Sequence, residues 1–146
     1  MTPEQIALVC TTWNMLAPNA SAAAELFYDR LFKLDPGLRR LFAGTDWNSQ
    51  RSKLVSAINF AVSSLKQPEQ LLPILTDLGA RHATYGVKDA DYETVGRALI
   101  DTLAQGLDES WSADAEEAWK EVYGIVAKTM RDAQRTVPAR KQRIAG

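Results

Sequence analysis

Residues 78–87 read LGARHATYGV and contain His82, the only histidine among the 146 residues of the chain. Spacings of four, three, four and three residues place several side chains on one face of a predicted helix: Leu71, Leu75, Leu78, His82 and Tyr85. An imidazole that points inward needs partners for both of its ring nitrogens. A metal on one nitrogen and a backbone carbonyl or hydroxyl on the other would provide them, and so would two ordinary hydrogen bonds in a protein core.

The length and composition of the chain predict one globular domain with a substantial core. An apolar fraction of 46% and a charged fraction of 24% are typical of such domains. The formal net charge of −1 produces no strong field, so we expect no nucleic-acid partner. Because the sequence contains no run of about 18 apolar residues, we also expect no membrane span.

Cysteine usage and the first residues bear on the cellular compartment. The single Cys10 cannot form an internal disulfide, and one cysteine with one histidine cannot form a structural zinc site. Met1–Gln5 lacks the basic flank and the apolar stretch of a signal peptide. We therefore expect a cytoplasmic protein. We also expect a monomer or a weak dimer.

Helical periodicity runs along almost the whole chain, and no long segment alternates with the two-residue period of a strand. Thr2 starts the first helix as its cap, with Pro3 at the first helical position and Gln5 three residues after the cap. Pro18–Asn19 interrupts the pattern before a second helix begins. The sequence therefore predicts an all-α protein.

Further start and stop signals divide the rest of the chain into helices. Asp35–Pro36 caps a short third helix that ends near Leu41–Phe42. Pro68 and Pro73 each suit the first turn of the helix that carries the histidine. Gly86 is expected to end that helix, because glycine readily adopts the left-handed conformation found there.

The same signals predict the last helices and the end of the domain. Asp89 or Asp91 opens one helix, and Ser112 opens the last. The helical pattern then stops before a short basic segment. We predict one domain over residues 1–135 and a frayed, solvated tail over residues 136–146.

The sequence lacks the signatures of several enzyme classes. No glycine-rich phosphate loop and no paired carboxylate site are present. A hydrolase triad through His82 stays open, although no Gly-x-Ser-x-Gly elbow or strand scaffold accompanies it. Helices rich in leucine, valine and phenylalanine with an inward imidazole suit a large, flat, apolar ligand, and a haem held by one neutral imidazole fits that description.

Several segments of the chain resemble the globin family. The motifs that carry the resemblance lie in five segments: Leu26–Phe32, Asp35–Phe42, Leu78–Val87, Tyr92–Gly96 and Ala118–Gly124. They occur in order and at the family's spacing over about residues 3–134. The chain is most similar to bacterial single-domain haemoglobins and to the globin part of flavohaemoglobins, with neuroglobin further off. The resemblance implies a globin fold of about seven helices packed around one haem b.

The resemblance also implies roles for individual residues. His82 would be the proximal iron ligand, and Gln50 would occupy the distal position with Tyr28 and Leu54 beside the bound gas. Residues implied to contact the haem or its propionates are Phe42, Lys53, Leu54, Arg81, Val87, Tyr92, Val95 and Tyr123. Tyr28 and Gln50 would donate hydrogen bonds to the gas, each contributing about 1.5–3 kcal/mol in a dry pocket. Ordinary alternatives are core packing for the apolar side chains and Tyr28, and solvation for Gln50, Lys53 and Arg81.

Two departures from the family's pattern affect the expected chemistry. A single histidine excludes coordination of the iron by two histidines of one chain, so an internal sixth ligand would have to be Tyr28 or Lys53. Relatives often carry a glutamate late in the last helix that, with the tyrosine equivalent to Tyr92, strengthens the proximal histidine. Gln134 stands at that position here, and a neutral amide cannot exert the same anionic influence. This departure favours reversible gas binding over peroxidase-like chemistry.

The resemblance implies binding of oxygen and other diatomic gases, among them carbon monoxide and nitric oxide, for oxygen storage or delivery or for nitric oxide detoxification. Nitric oxide dioxygenation would need electrons from a separate reductase, since we expect 146 residues to hold no flavin or nicotinamide domain. A haem-based gas sensor and a haem-free helical interaction module are the alternatives. We expect no output domain for a sensor, and a haem-free module would need neither His82 nor Phe42.

Overall fold

The computed structural model describes residues 1–136. These residues form six α-helices: α1 Pro3–Leu16, α2 Ala20–Leu34, α3 Trp47–Ser63, α4 Pro68–Thr84, α5 Asp89–Leu107 and α6 Ala113–Arg135. Short 3-10 helices connect some of them: Ala17–Asn19, Pro36–Phe42 and Asp108–Ser110. The predicted all-α fold is confirmed, and six α-helices with a 3-10 helix before α3 agree with the expected seven or so. Apart from Thr136, which caps α6, the predicted tail lies outside the described residues.

Local signals start three of the helices as predicted. The Thr2 hydroxyl accepts a hydrogen bond from the Gln5 backbone N–H at 3.1 Å, and the Gln5 side chain accepts one from the Thr2 N–H at 2.9 Å. Asp91 accepts from the Lys88 backbone N–H at 2.9 Å where α5 begins. Ser112 accepts from the backbone N–H three residues later at 3.0 Å and so caps α6.

Gly86 terminates α4 two residues after its last helical residue, because it adopts a φ of +82°, a conformation that glycine tolerates best. The Gly86 N–H donates to the Ala83 carbonyl at 3.2 Å, and the Val87 N–H donates to the His82 carbonyl at 3.3 Å. This is a Schellman motif, which satisfies the last carbonyls of the helix. Tyr85, expected on the apolar face of the helix, is 54% exposed because it follows the last helical residue.

The prediction that Pro68 and Pro73 each lie in the first turn of α4 is confirmed for Pro68 and wrong for Pro73. Pro68 is in the first turn, where the missing N–H has no intrahelical partner to lose. Pro73 lies inside the helix instead. Its ring leaves the carbonyl of Glu69, one turn earlier, without its helical donor, and because Glu69 is exposed, water can take that place.

The largest core cluster joins α1, α5 and α6. Trp119 of α6 is 2% exposed and meets Trp13 of α1 edge to face, with ring centroids 6.3 Å apart. Its indole N–H donates to the Thr12 hydroxyl at 2.9 Å, so the buried polar atom has a partner. Such aromatic pairs contribute about 0.5–1.5 kcal/mol beyond their burial.

The packing order of the helices keeps α3 and α4 apart. α4 makes its extensive contacts with α6, whereas α3 packs on α2 and α1, and α3 and α4 share few contacts. Gly79 lets α4 approach α6 closely, since a Cβ atom there would come within 2.3 Å of the Met130 carbonyl oxygen. Where α3 does approach α4, Ala61 of α3 packs on the apolar cluster that contains Leu71 and Leu75 of α4.

No helix of residues 1–136 is both long and apolar enough to span a membrane.

Candidate functional site

His82 has a defined tautomer. Its Nδ1 lies 2.7 Å from the Leu78 carbonyl oxygen, one helical turn earlier. A carbonyl can only accept, so Nδ1 carries the proton and Nε2 keeps its lone pair. Burial lowers the pKa of the imidazole, while the Leu78 carbonyl acts in the opposite direction. The ring is therefore neutral at physiological pH, which is the form of histidine that ligates a metal.

The chemistry of His82 and of the apolar residues with implied haem contacts fits a haem. Four apolar residues with implied haem contacts are partly buried and retain exposed surface: Phe42, Leu54, Val87 and Val95. Partly covered apolar side chains are what a flat apolar group needs to bury its own surface. A single neutral imidazole could hold the iron of a haem b, and side chains of this kind could cover the faces of the group.

α2 and α3 bring together Tyr28 and Gln50, the two residues implied to donate to the gas. The Gln50 amide Nε2 donates to the Tyr28 hydroxyl oxygen at 3.0 Å, across 22 residues of sequence. Burial raises the pKa of Tyr28, and the hydrogen bond from Gln50 partly opposes that effect. The phenol therefore keeps its proton. Because its oxygen already accepts from Gln50, that proton can be donated to a third group.

Aromatic rings hold Tyr28 in place from several sides. Its ring centroid lies 5.0 Å from Phe27, 5.6 Å from Phe42 and 5.1 Å from Trp47, all in edge-to-face geometry. Trp47 also stacks on Phe42 at 5.6 Å. No sequence motif predicted a role for Trp47. Trp47 directly follows Asp46, the cap of α3, and this position was the sequence signal for the contact. A residue in the first turn of a helix faces the segment that precedes the helix.

The residues expected on the proximal side meet in one hydrogen-bond network. The Tyr92 hydroxyl donates to the Gln134 side-chain oxygen at 2.7 Å, and the Gln134 amide donates to the Val87 carbonyl. The Tyr123 hydroxyl donates to the Tyr92 carbonyl at 2.5 Å. Burial, with a smaller effect of Asp89, raises the pKa of Tyr92 to about 12, and burial raises that of Tyr123 further. Both phenols are therefore neutral donors.

The two cations with implied propionate contacts lie on the outside of the site. Lys53 is exposed on α3, next to Leu54. Arg81 is exposed on α4, next to His82, and forms an ion pair with Asp77 at 2.7 Å. An exposed ion pair of this kind contributes little energy.

Comparison with known proteins identifies the family. The sequence model described as Globin matches residues 25–130. The chain is 27% identical to a flavohemoprotein of Bacillus subtilis over 126 residues, 85% of this chain and 32% of that protein. It is 29% identical to a neuroglobin of Tetraodon nigroviridis, with 84% and 86% of the two chains covered. It is 31% identical to the anaerobic nitrite reductase HBII of Casuarina glauca, with 84% and 85% covered. The chain thus spans about a third of the length of the flavohemoproteins it matches.

Solved structures share the fold. A bacterial globin from Campylobacter jejuni superposes with a TM-score of 0.80 at 24% identity, covering 92% of this chain and 96% of its own. A hexacoordinated heme protein from an anhydrobiotic tardigrade superposes with a TM-score of 0.84 at 19% identity and the same coverage. Since the family match covers most of the chain, this protein belongs to the globin family, whose members bind haem and diatomic gases.

Proposed function

We propose that the protein binds one haem b through His82 and reversibly binds oxygen and other diatomic gases beside Tyr28 and Gln50. The observation that carries this proposal is the hydrogen bond between His82 Nδ1 and the Leu78 carbonyl, which presents a neutral Nε2 on an apolar face. When bound, the haem supplies an iron atom at which diatomic gases bind.

Tyr28 and Gln50 support a role in stabilising the bound gas. The Gln50 amide occupies the Tyr28 oxygen and leaves the phenolic proton for a further acceptor. A hydrogen bond from a buried donor to a polarised gas molecule contributes about 1.5–3 kcal/mol, which slows its release about ten- to a hundredfold. Burial keeps Tyr28 protonated and so disfavours its use as an anionic sixth ligand.

Gln134 supports reversible binding rather than electron-rich iron chemistry. It is the residue that Tyr92 contacts, and it is an uncharged amide. No carboxylate therefore reaches the imidazole through this contact, and His82 instead donates to a backbone carbonyl. We propose oxygen storage or delivery as the leading use of the site.

Nitric oxide detoxification is the second candidate, because flavohemoproteins are among the relatives and the distal donors would serve either use. A nitric oxide dioxygenase on this chain would need electrons from a separate reductase. Sustained consumption of nitric oxide in the presence of a cellular reductase would favour the enzyme. A single stoichiometric turnover under the same conditions would favour storage or delivery.

Optical spectra test the haem proposal directly. The purified protein should show a Soret band in the ferric and dithionite-reduced forms, and the reduced band should shift with carbon monoxide. His82→Gly should lose this spectrum and regain it when free imidazole is added, because imidazole can fill the space left by the side chain. Gln105→Gly, a change at an exposed α5 position, is the control. A colourless protein that cannot be reconstituted with haemin would contradict the proposal.

A further inference from the structure

The Gln134 side chain joins the end of α6 to the turn between α4 and α5. Its amide nitrogen donates to the Val87 carbonyl, and its amide oxygen accepts from the Tyr92 hydroxyl at 2.7 Å. These partners lie 47 and 42 residues away in sequence. The amide thus uses its donor and its acceptor at the same time, and it joins three separate parts of the chain.

Both partners of Gln134 make further hydrogen bonds through their backbones. The Val87 N–H donates to the His82 carbonyl at 3.3 Å within the turn that ends α4. On the other arm, the Tyr123 hydroxyl donates to the Tyr92 carbonyl at 2.5 Å. A continuous set of hydrogen bonds therefore runs from α6 through Val87 to the backbone of His82.

We propose that Gln134 is a positioning residue that holds the turn after His82, and that at neutral pH it can do so only as an amide. A glutamate has the same shape but no donor when ionised, so it would place an anion against the Val87 carbonyl. A leucine would leave both Val87 and Tyr92 without this partner. The hydrogen bonds of the turn are a property of the chain alone, whereas their effect on the iron ligand rests on the function proposed above.

An amide also makes the contact independent of pH. The charged groups near Tyr92 are Asp89 and Asp91 of α5 and Arg131 of α6, and Asp89 pairs with Arg135 at 3.2 Å. His82 is the titratable group on the α4 side. Since the Gln134 amide does not titrate, its donor and its acceptor are the same at every pH.

Amide hydrogen exchange at Gly86 and Val87 tests the proposal without relying on haem. We would compare Gln134→Glu and Gln134→Leu with the unmodified chain at pH 5 and pH 8, as protection factors at each pH. The control is Gln105→Glu, which introduces the same charge at an exposed site on α5. Tyr92→Phe is a second variant, since it removes one arm of the contact without adding a charge.

We expect Gln134→Glu to lower protection about tenfold at pH 8, because losing the donor costs roughly one hydrogen bond. At pH 5 protection should be within about twofold of the unmodified chain, because burial and the facing carbonyl favour the protonated acid, which can donate. Gln134→Leu should lose protection at both pH values, and Tyr92→Phe should lose part of it. Unchanged protection in Gln134→Leu, or a loss in Gln134→Glu that is equal at both pH values, would overturn the proposal.

The iron–histidine stretching frequency of the reduced protein provides a second readout. It should change with pH in Gln134→Glu and stay constant in the Gln105→Glu control. A protein that takes up no haem but shows the pH-dependent exchange would contradict the proposed function and support the role of Gln134. Normal haem spectra with pH-independent exchange would support the proposed function and contradict the role of Gln134.

Discussion

At the scale of single residues, burial selects the charge state of His82, the proposed iron ligand, and of Tyr28, the proposed donor to the gas. It lowers the pKa of the His82 imidazole and raises that of the Tyr28 phenol. The directions are opposite, but both changes favour the uncharged form, because a charged group loses more hydration energy on burial. A neutral imidazole can ligate iron, and a neutral phenol can donate a hydrogen bond. Burial therefore keeps both side chains in the uncharged form that their proposed roles require.

Tyr28→Phe should speed oxygen dissociation about tenfold, because the variant loses a donor contributing roughly 1.4 kcal/mol or more. Stopped-flow displacement of oxygen by carbon monoxide measures this rate. Tyr85→Phe is the matched control, since it removes a hydroxyl from a 54% exposed ring. An unchanged rate in Tyr28→Phe would exclude Tyr28 as the distal donor.

At the scale of elements, the position of α4 depends on how closely it lies on α6. Gly79 is buried, and the space for its missing side chain is filled by the Met130 backbone. α4 carries His82 three residues later, so this contact fixes how far the part of α4 that bears the histidine lies from α6. A backbone contact of this kind cannot adjust as a flexible side chain would.

Gly79→Ala should lower the free energy of unfolding by about 1–3 kcal/mol, because overpacking a tight helix contact forces the backbone to shift. Urea denaturation followed by circular dichroism measures the change. Gly124→Ala on the exposed side of α6 is the control, because a Cβ atom there meets nothing within 4 Å. That control should gain about 0.5–1 kcal/mol, as alanine favours helix over glycine. Equal effects of the two substitutions would contradict the close-contact argument.

At the scale of the whole molecule, the free energy of unfolding and the charge state of the proposed iron ligand both depend on the pKa of His82. The unfolded chain takes up a proton at His82 near the ordinary pKa of about 6.5, whereas burial lowers the pKa in the folded protein. Between these two values the unfolded state binds more protons than the folded state. The free energy of unfolding therefore falls as the pH is lowered through that window, and the contribution of His82 is complete above pH 6.5 or so.

We expect the urea midpoint of the haem-free protein to fall between pH 7.5 and pH 5.5, and to fall less in His82→Gln, which cannot titrate. The difference between the two proteins in the slope of the urea midpoint against pH gives the effect of His82 alone, because both proteins have the same carboxylates. Equal slopes would show that His82 has the same pKa in the folded and unfolded states.

Sequence reasoning succeeded where the deciding contacts are local. The Thr2 capping box and the glycine turn at Gly86 form within six residues, so composition and spacing were enough to predict them. It failed at Pro73, which could start a helix but lies inside one that Pro68 had already started. It also assigned no role to Trp47, whose contact with Tyr28 depends on how α2 crosses α3.

The sequence by itself determined the helices, their boundaries at capping residues, and the presence of one histidine on a mostly apolar face, because these follow from neighbours along the chain. Only the tertiary structure decided which distant side chains meet. Gln50 donates to Tyr28 across 22 residues, and Gln134 joins Tyr92 and the turn after His82 across more than 40. Those contacts depend on helix crossing and on close approaches such as that of Gly79 to Met130, and spacing along one helix does not contain that information.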